Sequence, residues 1–482
     1  MPDAAAPPGA ASRRIARNAA LQAGAEVVGK VATLALTVVA ARALTQQRFG
    51  AYSYALSFAP LVAVVWSWGL GTLLIREASA EPDKLPALYN RFVLLRALIA
   101  IPSVVVFGFL GALTRPYLQA RLVLVLVLVA WALNSFREAA VSAGFARQEV
   151  AGVTAAVVVD RLVTAGLGIV ALVLGAGVVG LGVAFLAGSI IGLVVSQRAV
   201  RRLGVKLDLR GVDRSQLRPM LGRSFYIGVD TIVSESLFRI DAIMLSAFKG
   251  DVALAIYSVA YRLLETVLFV SWAIVRALFP AMSARGGAQV KRGVEEGIAS
   301  MAVLFVPFAV VLLAEAEDVI SLLFGEAYAE GSAPVARWLA LGPMLFGVAY
   351  LTGYGLQALD RARSAFGATM TAALFNIGAN LVMIPLLGGV GAAITTCVAY
   401  AIEAGLSLWL LRDIGLPTLG RRLLPPVLGG SVMALVLVVV ELPILIELTG
   451  VGALYLLVWY LVAKRVAPEQ VAIVGALVPG RR

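Results

Sequence analysis

Histidine is absent from this chain of 482 residues, and cysteine occurs once, at Cys397. Without imidazoles or paired thiols there is no disulfide, no Cys/His metal site and no histidine proton relay, which removes most familiar catalytic apparatus. Neither a metal nor a cofactor is expected. Charge is scarce as well: Asp, Glu, Lys and Arg make up 14% of the residues, against 61% hydrophobic ones. A soluble chain of this length would divide into about three domains, but this composition does not describe a soluble surface.

What the chain has is apolar runs. A helix needs roughly 20 apolar residues to cross the hydrocarbon core of a bilayer, and such stretches follow one another from about residue 18 to residue 466. Arg13, Arg14 and Arg17 precede the first of them. That run is too long for a signal-peptide core and lacks a convincing cleavage site, so it reads as a retained first span. The formal charge of +12 sits in short loops between apolar runs rather than on one basic patch with interleaved aromatics, which argues against nucleic acid.

The runs predict helices near 18–44, 51–75, 88–114, 116–143, 151–176 and 178–197, then near 221–248, 251–280, 293–314, 333–359, 364–386 and 388–411, with a last pair near 423–446 and 450–464. Cytoplasmic loops should hold the Lys and Arg excess. One side receives most of the basic residues, including the linker's Arg198, Arg201, Arg202, Lys206, Arg210, Arg214, Arg218 and Arg223. The other side receives only Arg48, Arg115 and Lys249 in this reading. Both termini are therefore expected in the cytoplasm. The expected organisation is a cytoplasmic tail (1–17), a first six-helix bundle (18–200), a basic cytoplasmic linker (201–220), a second six-helix bundle (221–412), a C-terminal helix pair (413–466) and a cytoplasmic tail (467–482).

Tyr52-Ser53-Tyr54-Ala55 is answered by Tyr257-Ser258-Val259-Ala260, 205 residues later. Val179-Gly180-Leu181-Gly182-Val183-Ala184 is answered by Val390-Gly391-Ala392-Ala393-Ile394, at an offset of 211. Two matches at nearly one offset suggest duplication of a six-helix unit. An even number of helices gives both copies the same orientation, a parallel repeat about an axis along the membrane normal. The fold expected is thus an all-α integral membrane protein of about 14 transmembrane helices: two parallel six-helix repeats plus a C-terminal helix pair.

In order along the chain stand Ala41-Arg42-Ala43-Leu44 with Phe49-Gly50-x-Tyr52; Gly69-Leu70-Gly71 with Arg76-Glu77; Asp241 ahead of Tyr257-Ser258-x-Ala260; Leu323-Phe324-Gly325-Glu326-x-Tyr328; and Asn376-x3-Asn380-x4-Pro385 leading to Gly388-x2-Gly391-Ala392-Ala393. In these the chain resembles the O-antigen type, or polysaccharide-biosynthesis, flippases of the multidrug/oligosaccharidyl-lipid/polysaccharide exporter superfamily. The resemblance implies a multi-pass protein of the cell inner membrane that moves a lipid-linked oligosaccharide of the undecaprenyl pyrophosphate type to the outer leaflet. It implies membrane lipids and a polysaccharide polymerase as further partners. It implies no nucleic acid.

Charges inside the spans argue independently of family. Glu26, Lys30, Asp160, Arg161, Asp230, Glu235, Arg239, Asp241, Arg262, Glu265 and Glu403 fall away from the expected helix ends. At about 3 kcal/mol each, they would cost roughly 30 kcal/mol facing lipid, so they must face one another, neighbouring helices or water. Arginine offers a planar fork of donors to phosphate oxygens, which makes Arg239, Arg262, Arg42 and Arg276 the candidate substrate-binding residues. Arg239 and Arg262 also have acidic neighbours at Glu235 and Glu265, so a packing role stays open for them. Arg42 and Arg276 lie near helix ends, where snorkelling to head groups also serves. Asp241, Glu26, Asp230 and Asp160 are candidates for ion coupling, with structural ion pairs as the alternative.

Two competing functions remain at this point. A cation-coupled drug or metabolite antiporter would share the architecture. A membrane-embedded glycosyltransferase would need carboxylates on a sizeable extramembrane loop, and 315–334 is the one candidate. Gly166-x-Gly168 and Gly180-x-Gly182 are not nucleotide loops, for no strand precedes them and no Walker lysine follows.

Overall fold

The structure is a computed structural model that describes residues 10–284, 286–440 and 442–471. The expected terminal tails therefore lie outside the described residues at 1–9 and 472–482. Residues 10–17 continue the first helix instead of standing apart from it.

Every described element is helical. The first compact unit, Met1–Ile243, contains α1 (Ala10–Ala43), α2 (Gln46–Ser67), α3 (Leu70–Ala80), α4 (Leu85–Leu113), α5 (Leu118–Ala146), α6 (Ala151–Val173), α7 (Gly177–Arg202), α8 (Leu217–Arg223) and the start of α9 (Phe225–Ala284). The second, Met244–Arg482, contains the rest of α9, α10 (Gly287–Ala314), α11 (Ala316–Phe324), α12 (Glu326–Leu339), α13 (Gly342–Ala358), α14 (Ala362–Leu410), α15 (Gly420–Val439) and α16 (Ile444–Val466).

Twelve helical stretches are long and apolar enough to cross a membrane. Two of them, of 58 and 49 residues, are each broken at a glycine: Gly250 (φ 82°) in α9 and Gly388 (φ 59°) in α14. L side chains resist that left-handed conformation and glycine does not. Each break divides a helix into two arms long enough to cross, and the crossings then number about fourteen, as the sequence predicts. The protein is a multi-pass membrane protein.

Three boundaries differ from expectation. The second span does not run on to residue 75, because Trp68 (φ 39°) and Gly69 (φ 65°) are both left-handed and break it between α2 and α3. The span expected to reach 446 stops at Val439, where Val440 is extended ahead of Pro443. The span expected over 333–359 is divided at residues 340–341 between α12 and α13, and Pro343 stands in the first turn of α13, as suits a residue with no N–H to give.

The expected linker is folded onto the first unit. Val205, Leu217 and Met220 are buried in a core with Leu74, Tyr89 and Phe92. Asn90 of α4 donates to the Lys206 carbonyl and accepts from Asp208 N–H, both at 3.1 Å. Its arginines and Lys206 stay exposed.

In the second unit, α15 and α16 pack together and against α10. Gly429 and Gly430 let Tyr455 and Val306 approach the α15 backbone, and the Tyr455 hydroxyl donates to the Val303 carbonyl at 2.7 Å. Apolar side chains cover the exposed faces of the spans, such as Leu98, Ile101, Val105 and Phe109 on α4, the surface a bilayer would cover.

Candidate functional site

The charged residues divide into sealed pairs and accessible ones. Asp160 of α6 is sealed: 4% exposed, it pairs with Arg137 of α5 at 3.3 Å. Two glycines of α7 make room for it, since a Cβ on Gly188 or Gly192 would overlap Thr164 or Asp160. Arg161 beside it is half-buried.

Glu235 and Arg239 lie one turn apart in α9 and pair at 3.3 Å, with 30% and 24% of their side chains exposed. Asp241, two residues on, is buried and accepts from the Ala242 N–H at 2.7 Å. Asp230 is exposed on the same helix. On α1, Glu26 is exposed and Lys30 half-buried, and Arg42 stands exposed in the last turn, where a cation complements the helix dipole.

In the second unit Arg262 donates to Glu265 at 2.7 Å, with 20% and 14% of their side chains exposed. Arg276, four turns further along α9, is exposed. Glu403 accepts from the Thr369 hydroxyl at 2.6 Å. Asn380 and Asn376 are both fully buried: the Asn380 amide donates to Asn376 at 3.0 Å, and Thr395 donates to Asn380 from the far arm of α14. These two asparagines thus join the arms on either side of Gly388, the cross-helix role open to them as polar residues in a membrane.

Two deep arginines are not among the eleven charges expected inside the spans. Arg96 of α4 is fully buried; its guanidinium donates to the Ser135 carbonyl and lies 3.2 Å from Glu138 of α5. Arg137 is the second, for α5 runs nine residues past it. The signal for Arg96 was present, because it falls in the middle of an expected span. Gly71 packs against the Arg96 and Glu138 side chains, which gives the second glycine of Gly69-Leu70-Gly71 a structural task. The first lets Ile227 and Gly228 of α9 close on the α2–α3 break. There Trp68 Nε1 donates to the Leu221 carbonyl at 3.3 Å, and Arg223 pairs with Glu77 at 2.6 Å.

Outside the spans, Arg361 and Asp413 form an exposed ion pair that holds the Asp413 carboxyl below its usual range. Glu295 receives the Thr418 N–H and hydroxyl, each at 2.9 Å, which ties the chain entering α15 to α10. Among the described residues no group of His, Cys, Asp and Glu has the geometry of a metal site.

Residues 15–285 match the family model described as polysaccharide biosynthesis protein. Among curated relatives, the chain is 23% identical over 203 residues to a probable low-salt glycan biosynthesis flippase, Agl15, of Haloferax volcanii, covering 41% of this chain and 43% of that protein. It is 24% identical over 193 residues to a putative O-antigen transporter of Shigella flexneri, covering 39% and 46%. The chain spans less than half the length of these relatives. Among solved structures, the lipid II flippase MurJ in an inward closed conformation superposes with a TM-score of 0.79 at 14% identity, over 94% of this chain and 99% of that one. An inward-facing multidrug resistance MATE family transporter of the MOP superfamily gives 0.66 at 15% identity, over 82% and 97%. At such identities the likeness is one of fold.

Proposed function

This chain belongs to the polysaccharide biosynthesis protein family, and from that premise we propose that it is a flippase. It carries a polyprenyl-pyrophosphate-linked oligosaccharide from the cytoplasmic to the outer leaflet by alternating access of its two six-helix repeats, with the membrane the inner one and both termini cytoplasmic. Relatives described as a glycan biosynthesis flippase and an O-antigen transporter support the substrate class.

The observation that carries the reading is the state of Arg239 and Arg262. Each stands inside a membrane-spanning arm, each is held by a carboxylate one turn away, and each keeps about a fifth to a quarter of its side chain accessible. A carboxylate partner makes a guanidinium affordable in the membrane, and a fork with donors on several edges can hold it and still receive phosphate oxygens. Arg42 and Arg276 stand exposed nearer helix ends, where a diphosphate head group arrives or leaves. Asp241, Glu26, Asp230 and Asp160 are the carboxylates available to a coupling ion, and the sealed pairing of Asp160 with Arg137 makes it the weakest of the four.

Deleting the gene and extracting lipid-linked glycans tests the reading. One polyprenyl-linked species should accumulate on the cytoplasmic side, and the full chain should clear it. An unchanged lipid-linked pool together with altered drug sensitivity would favour a cation-coupled antiporter instead.

A further inference from the structure

The second unit holds one helix face whose chemistry suits neither lipid nor simple packing. Along the middle of α14 the large exposed side chains are apolar, among them Leu374, Leu381, Val382 and Leu386. On α13, Phe346, Tyr350 and Tyr354 recur one turn apart, and exposed Gln357 continues the same face. Phe346 and Tyr350 stack at 5.5 Å, and the Tyr350 and Tyr354 rings stand 4.8 Å apart with their hydroxyls 3.3 Å from each other. A Cβ on Gly353, between the two tyrosines, would meet nothing within 4 Å, so the face is open there.

The arm of α9 after Gly250 packs against this face. Trp272 meets Phe346 edge-to-face at 6.4 Å, and Phe279 meets Tyr354 at 5.2 Å. Arg276, exposed, lies one turn from both Trp272 and Phe279, the two α9 rings that meet this face. Half-buried rings, two phenol hydroxyls, an amide and a guanidinium thus share one accessible face inside the second unit.

An acyl chain gains nothing from hydroxyls and amides, whereas a sugar ring uses both halves of this chemistry. Its axial C–H groups carry partial positive charge toward the electron-rich face of an aromatic ring, and its hydroxyls require donors and acceptors around the rim. We propose that the face shared by α9 and α13 is a sugar-binding ladder: Trp272, Tyr350 and Tyr354 stack on the sugars nearest the pyrophosphate, and Arg276 holds the phosphate end. The ladder rests on the flippase reading and deepens it by naming what grips the glycan.

Native mass spectrometry of the full chain in detergent tests it, with undecaprenyl pyrophosphate and undecaprenyl-pyrophosphoryl-N-acetylglucosamine as the probes. The unaltered protein should bind the sugar-bearing lipid about tenfold more tightly than the bare one. Tyr350→Leu with Tyr354→Leu should abolish that preference and leave binding of bare undecaprenyl pyrophosphate within about twofold. Tyr350→Phe with Tyr354→Phe keeps the rings and should keep most of the preference. Trp272→Leu serves as the second variant should the tyrosine pair not fold. Absence of a preference in the unaltered protein, or its survival in the leucine variants, overturns the ladder and leaves the flippase reading standing. Failure of the unaltered protein to bind either lipid overturns the flippase reading and the ladder with it.

Discussion

Arg137 of α5 and Asp160 of α6 meet at 3.3 Å, with only 11% and 5% of their side chains exposed. Two α7 glycines press on the pair so closely that a Cβ on Gly192 would stand 2.7 Å from the Asp160 Cβ. The pair joins adjacent helices of the first unit and is far less open than Glu235–Arg239.

Removing one partner of a buried pair leaves an uncompensated charge, which costs on the order of 3–5 kcal/mol. Asp160→Asn should therefore lower thermal stability in detergent sharply, and adding Arg137→Gln should recover most of the loss. Unchanged stability in the single variant, with an altered ion dependence of transport, would return Asp160 to the coupling candidates.

The Trp68–Gly69 break should tolerate no side chain at its glycine. Gly69→Ala forces a left-handed residue, which costs about 1–2 kcal/mol, and sets its Cβ 2.5 Å from Ile227 Cγ2. Membrane abundance and thermal stability should both fall, and Ile227→Ala should relieve the overlap only in part, because the Cβ at position 227, 2.7 Å away, remains. A fully stable Gly69→Ala protein would show that the break is not required.

Arg239 distinguishes ligand binding from packing. Arg239→Ala should stop flipping while the protein stays in the membrane, and Arg239→Lys should rescue only in part, because it keeps the charge and loses the fork. Retention of both abundance and transport in Glu235→Gln with Arg239→Gln would assign the pair to packing. The readouts are membrane abundance and accumulated lipid-linked glycan.

Asp241 and Glu26 are the first carboxylates to test for coupling, one buried and one exposed. Asp241→Asn and Glu26→Gln should weaken the dependence of transport on the membrane ion gradient. Full transport with unchanged gradient dependence in both variants would make these acids structural.

Orientation is tested with an impermeant thiol reagent, and the buried Cys397 gives little background. Positions 205 and 290, natural choices from the loops, are filled by buried valines, so Arg210→Cys and Ala288→Cys replace them. Both should be protected in intact cells, and Lys249→Cys and Glu330→Cys should react. Labelling at 210 in intact cells would invert the topology.

Helix number and order were legible because apolar runs of membrane length leave few alternatives. Continuity was less so. Nothing in the composition around Trp68 marks it as left-handed, since that conformation depends on the contacts α8 and α9 make with it. The site was legible where two charges share one helix, as at Glu235 and Arg239 or Arg262 and Glu265, because helical spacing reveals such pairs. Arg137 with Asp160, and Arg96 with Glu138, join different helices, and sequence spacing carries no trace of that kind of pairing. Arg121 and Arg337 also lie at helix ends assigned to the basic-poor side, in the first turn of α5 and the last turn of α12. The asymmetry of charge is therefore real but smaller than the loops alone suggest.

The glycine breaks at Gly250 and Gly388 shorten two turns on the basic-poor side almost to nothing, and this decides what a protease can find. Trypsin cuts after lysine and arginine. On that side Arg115 is buried and followed by Pro116, which leaves Arg48, Arg121, Lys249 and Arg337, all within or at the ends of helices. The opposite side presents the linker from Arg198 to Arg223, with an exposed basic residue every few positions. Sealed vesicles of one orientation should therefore be cut first within the linker, into two large fragments, and vesicles of the other should pass through digestion nearly intact.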